Sequence, residues 1–187
     1  YLSNQVLPDV ALITAVSEGH LAFFKSVEEI ADAKCEIFEG LDIGDGVAII
    51  NRDSPVYHQC LQNADTARLQ NVHSFGKHKA ANMRLALYEV FEDNQTRLTY
   101  EFDDESIEII MDYLLPMHLA ENFAAAFAAI HALDLDLELA ANAIRSFQML
   151  LGRGRVVQVK NSGKSYNIIC DYYNSNPQSS QASLCTI

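Results

Sequence analysis

Two apolar runs separated by a helical segment constrain this chain more than any other feature. Residues 9–16 (DVALITAV) are continuous in character and have the length of a strand buried on both faces, and residues 46–51 (GVAIIN) repeat the pattern. Strand, helix, strand in that order predicts a crossover unit, and hence a sheet covered on both faces. Residues 68–75 predict a further strand. Residues 97–102 (RLTYEF) and 106–111 (SIEIIM), joined by Asp103-Asp104-Glu105, predict a small antiparallel hairpin. Residues 120–133, alanine-rich with Phe123, Phe127 and Ile130 at helical spacing, predict a buried helix, and residues 137–149 a second. The run Leu151-Gly152-Arg153-Gly154-Arg155 breaks that pattern. Strands are then expected over 155–160 and 165–171, around a turn at Asn161-Ser162-Gly163-Lys164. The fold class is α/β, a mostly parallel sheet flanked by helices.

Charge narrows the partners. The chain of 187 residues carries a formal net charge of −12, so nucleic acid and anionic membrane surfaces are repelled, and an anionic ligand must be held by a few local cations. No run approaches the roughly 18 apolar residues of a membrane span, and no basic region followed by an apolar stretch and a cleavage site opens the chain. The expectation is a cytoplasmic protein that neither inserts in a membrane nor binds nucleic acid. Cys35, Cys60, Cys170 and Cys185 show no CxxC pairing and no zinc-ligand spacing, which reads as free thiols. The length suits one good-sized core, or one domain and the start of another.

Ser26-Val27-Glu28-Glu29 is a capping-box pattern, so a helix is expected from there to Leu41. At about 100° per residue, Val27, Ile30, Ala31, Ile37, Phe38 and Leu41 share one face, while Glu28, Glu29, Asp32, Glu36 and Glu39 share the other. Lys34 falls in the middle of the apolar face. Two readings fit that position: a lysine lying along the core edge with its ammonium in water, or a desolvated amine available for chemistry. Periodicity is compatible with both.

The blocks around that helix decide further. PDVALIT at residues 8–14, Gly19-His20-Leu21, and SVEEIADAKCEIFEGL at residues 26–41 resemble, in order and spacing, the central domain of the Mur ligase family. The resemblance continues through Asn51-Arg52-Asp53, Pro116-Met117-His118 with Asn122, Gly152-Arg153-Gly154-Arg155, and DYYNSNP at residues 171–177. The last block is the most specific. It is similar to the branch of the family that adds D-alanyl-D-alanine to UDP-MurNAc-tripeptide.

The resemblance implies an ATP-dependent amide-forming ligase working through an acyl phosphate in peptidoglycan synthesis, with ATP and magnesium as cofactors and a monomeric parent enzyme. It implies a P-loop-type central domain over residues 1–151 and, over 152–187, a linker and the first strands of a Rossmann-like C-terminal domain. It gives Lys34 the role of a carbamate-forming lysine at the magnesium site, with His20 as a second residue of that site. Asn122 matches the adenine contact, Arg153 the arginine that reaches the ATP phosphates, and Asp171 the acid that binds the ribose, with Asn174 and Asn176 in the same block. Outside the resemblance these residues have plainer readings: a loop histidine for His20, a helix-start residue bonding local backbone for Asn122, and a strand-end turn for Asp171. Leu119 stands where the family commonly has an asparagine.

The sequence holds no G-x-x-x-x-G-K-[ST] phosphate loop and begins with Tyr1, so the expectation is a fragment that does not ligate by itself. Two rival readings remain, a sister ligase of the same superfamily and a non-catalytic α/β binding domain.

Overall fold

The structure, a computed structural model, describes residues 2–17, 24–150, 152–173 and 184. His20, Asn174 and Asn176 lie outside the described residues.

Six strands form one sheet in chain order: β1 (Val10–Ile13), β2 (Val47–Asn51), β3 (Asn71–Gly76), β4 (Met83–Val90), β5 (Thr96–Phe102) and β6 (Glu105–Met111). Neighbours from β1 to β4 are parallel, and those from β4 to β6 antiparallel, so the expected hairpin continues the main sheet. The alternation of β2 sorts the core into two layers. Val47 and Ile49 point to one side, where α4 (Met117–Ala132) supplies Phe123, Ala124 and Phe127. Ala48 and Ile50 point to the other, where α2 (Val27–Cys35) and α3 (Tyr57–Thr66) supply Ile30, Ala31, Tyr57 and Cys60. The sheet is thus covered on both faces. That is why β2 is a continuous apolar run.

α4 begins directly after Pro116, whose fixed φ suits a helix start, and it ends in two reverse hydrogen bonds, Asp134 N to His131 O and Leu135 N to Ile130 O. α5 (Leu137–Arg145) is capped by Asp136, which accepts from Leu139 N at 2.9 Å. It stops four residues short of the expected Met149. Beyond it, β7 (Arg155–Asn161) and β8 (Lys164–Cys170) pair as a separate two-stranded sheet. A short helix, α1 (Leu2–Val6), precedes β1. Among the described residues, no helix is long and apolar enough to cross a membrane.

One expectation about the lysine helix is corrected. Ser26 caps α2 as expected, accepting from Glu29 N at 3.3 Å, but the α-helix ends at Cys35 and tightens into a 3₁₀ turn over Glu36–Gly40. The tighter winding advances each residue by about 120° instead of 100°, which turns Ile37 outward. The buried stripe is Ile30, Ala31, Cys35 and Phe38, and Lys34 is exposed beside it. The helical wheel put Lys34 at the centre of a buried face; in the structure Lys34 is exposed.

Candidate functional site

Open α/β sheets bind ligands at the carboxyl ends of their parallel strands. Here those ends are tied to one another by short polar bonds. Asn51, the last residue of β2, donates from Nδ2 to the Thr14 carbonyl just beyond β1 at 2.9 Å, and its Oδ1 accepts from Asp53 N at 2.9 Å. The Asp53 carboxylate accepts from the backbone N–H groups of Lys77 and His78, at 2.5 and 3.0 Å, and so clasps the end of β3. Lys77 then reaches the other way, its Nζ lying 2.6 Å from Glu121 Oε1 on α4. Three strand ends and the first turns of α4 form one connected rim.

At the start of α4, Pro116 offers no side chain to the first N–H groups. That end stays receptive to partial or full negative charge. Asn122 is exposed one turn beyond His118. The linker after α5 packs on this same place: a Cβ on Gly154 would lie 3.7 Å from Met149 Sδ and 3.9 Å from Pro116 Cγ. Gly152, at φ +84°, turns the chain so that its carbonyl accepts from both Tyr172 N and Tyr173 N, at 3.2 and 3.1 Å, while Gly154 N donates to Cys170 O at 2.9 Å. Between those glycines, the Arg153 guanidinium stacks 4.4 Å from the centroid of the Tyr173 ring.

The electrostatics of His118 agree with that arrangement. Burial holds the His118 imidazole below its ordinary pKa, and the charges of Asp171 and Glu121 oppose that shift. A base on α4, an acid after β8 and an acid on α4 therefore share one neighbourhood. His118 Nδ1 is buried there with no hydrogen-bond partner among the described residues.

Of the expected site residues, Asn122, Arg153 and Asp171 are thus gathered around the start of α4. Lys34 is not among them, because α2 packs on the opposite face of the sheet. Among the described residues, no group of three His, Cys, Asp or Glu side chains could hold a metal ion. Sequence reasoning assigned no role to Asp53, to the Lys77–Glu121 pair or to Tyr173. Asp53 and Tyr173 sat inside quoted motifs, so their signal was present. The Lys77–Glu121 contact joins residues far apart in sequence and left no local pattern.

Comparison with known proteins agrees with this architecture. A model of the Mur ligase middle domain matches residues 1–130. The UDP-N-acetylmuramoyl-tripeptide--D-alanyl-D-alanine ligase of Rickettsia prowazekii is 37% identical over 177 residues, which are 95% of this chain and 38% of that protein. A crystal structure of MurF from Acinetobacter baumannii superposes with a TM-score of 0.83 at 23% identity, over 98% of this chain and 38% of that one. MurF ligase from Thermotoga maritima, in complex with ADP, superposes with a TM-score of 0.78 at 24% identity, over 96% and 39%. The chain spans under two-fifths of the length of each of these proteins. With a matched middle domain over most of its residues, the chain belongs to the Mur ligase family.

Proposed function

We propose that the protein carrying this chain uses ATP to join D-alanyl-D-alanine to UDP-MurNAc-tripeptide, and that these residues form part of its nucleotide site. The observation that carries the reading is the convergence of Asn122, Arg153 and Asp171 at the start of α4, by way of the Gly154–Pro116 contact and the influence of Asp171 on His118. The relative that is 37% identical bears the name of that ligase.

In this reading the Asn122 amide faces the adenine and the Asp171 carboxylate accepts from ribose hydroxyls. Arg153 supplies a planar, permanently charged fork to the phosphates. A local cation matters in a chain of net charge −12, since the surrounding field disfavours a polyphosphate. The γ-phosphoryl group passes to the peptide carboxylate, the amine of D-alanyl-D-alanine attacks the acyl phosphate, and phosphate leaves. Arg153 stabilises the charge that develops during phosphoryl transfer. Magnesium, when bound, offsets phosphate charge, and Lys34 as a carbamate with His20 is assigned to hold it. Asn174 and Asn176 belong to the same nucleotide block as Asp171. We assign residues 1–151 to the central domain and 152–187 to the opening of the next, a division that the separate β7–β8 sheet supports. The setting is the bacterial cytoplasm, and the parent is assigned as a monomer.

Equilibrium titration with ADP tests the site. Arg153→Ala and Asp171→Asn are expected to weaken binding by about tenfold or more each, the loss of one charge-assisted contact. Unchanged affinity in both would sink the assignment.

A further inference from the structure

The residues that follow β8 hold Arg153 from both sides. Gly152 O accepts from Tyr172 N and Tyr173 N, and Gly154 N donates to Cys170 O, so the backbone flanking Arg153 is bonded to the segment that carries Tyr173. Tyr172 fills the space over Gly152, where an added Cβ would lie 3.3 Å from Tyr172 Cε2. This pairing sets the Arg153 guanidinium over the Tyr173 ring, with Cζ 4.4 Å from the centroid. The Tyr173 ring lies outside both core clusters, and the residue is 71% exposed. Its one described side-chain contact of this kind is therefore with an arginine, at the surface.

We propose that Tyr173 is a positioning residue for the nucleotide phosphates and acts through Arg153. The inference rests on the reading above, in which Arg153 reaches those phosphates. An arginine side chain free in solvent samples many rotamers, and binding must select the few that aim its fork. An aromatic face beside the guanidinium narrows that choice before the ligand arrives.

The chemistry of the contact suits that task. It is made through Cζ and the ring face and spends none of the five N–H donors, which stay available to phosphate oxygens. An aromatic face, unlike a carboxylate, also does not neutralise the guanidinium. Arg84 and Arg97, on the sheet, lie against the carboxylates of Glu101 and Glu89. Arg153 is held by a ring instead, and in a chain of net charge −12 that difference leaves its positive field for an anion. The phenolic hydroxyl takes no part in the contact, so a phenylalanine can replace the tyrosine.

The test is equilibrium titration of the protein carrying this sequence with ADP and, separately, with adenosine, which has no phosphates. Tyr173→Ala is expected to weaken ADP binding about threefold, the scale of an exposed cation–π contact, and to leave adenosine binding unchanged. Tyr173→Phe keeps the ring face and is expected to restore the wild-type affinity for ADP. In an Arg153→Ala background, Tyr173→Ala is expected to cost nothing further, because the two residues act as one unit. Four results overturn the inference and leave the nucleotide reading standing: an equal loss for adenosine, an additive loss in the double variant, the same loss in Tyr173→Phe, or unchanged ADP affinity in Tyr173→Ala while Arg153→Ala is weakened. If Arg153→Ala itself binds ADP as tightly as the wild type, the reading of Arg153 fails and this inference fails with it.

Discussion

Asp53 and Gly76 meet across the ends of β2 and β3 so closely that a Cβ on Gly76 would stand 2.5 Å from Asp53 Oδ2. Gly76 also has φ +142°, a conformation that L side chains rarely adopt. The carboxylate cannot retreat without releasing the N–H groups of Lys77 and His78. Gly76→Ala is therefore expected to destabilise the fold by about 2–4 kcal/mol, combining backbone strain with damage to charge-assisted bonds. Urea denaturation measures this, and a loss under half a kcal/mol would show that the clasp gives way freely.

A substitution toward glycine should do the opposite at the end of α4. Asp134 sits at φ +53° with its N–H bonded to His131 O, and Leu135 N bonds Ile130 O, the paired geometry of a Schellman cap. Asp134→Gly removes a side chain from the left-handed region and is expected to stabilise by about 0.5–1 kcal/mol. A lower melting temperature in this variant would contradict it.

These two positions also mark what could be read from the chain. The continuous runs of β1 and β2 were legible because burial on both faces leaves no polar alternation, and the β5–β6 hairpin because its turn residues interrupt two β-rich runs. β4 was missed: its register shifts between Leu85 and Leu87, so the inward alternation of Met83 and Leu85 breaks and Leu87 ends up exposed. α3 was missed because its buried face is only Tyr57, Cys60 and Ala64 and its N-cap, Val56, makes no side-chain bond. Asn122, Arg153 and Asp171 were singled out as candidates through motif resemblance. Their convergence depends on how Gly152 and Gly154 fold the linker back onto Pro116, which no local pattern encodes. Ile37 was placed on the buried face because a uniform 100° wheel does not register the switch to 3₁₀ winding after Cys35.

The pH behaviour of His118 follows from its burial. Its pKa is held below 6.5 in the fold, so the neutral ring is the folded form, and the unfolded chain takes up the proton first as pH falls. Its contribution to stability is thus present above pH 6.5 and lost as pH drops through the folded-state value. NMR titration of the ring is expected to show a midpoint below 6.5, and His118→Phe should show a smaller loss of melting temperature on acidification. A midpoint above 6.5 would mean that Asp171 and Glu121 outweigh burial.

Substrate-omission assays of phosphate release test the central claim most directly. The protein carrying this sequence is supplied with ATP, UDP-MurNAc-tripeptide and D-alanyl-D-alanine, and each is left out in turn. The expected result is release that requires all three and falls about 100-fold or more in Arg153→Ala, since stabilisation of the transferring phosphoryl group is lost. Release that persists without D-alanyl-D-alanine, or that is supported instead by a single amino acid, would contradict it.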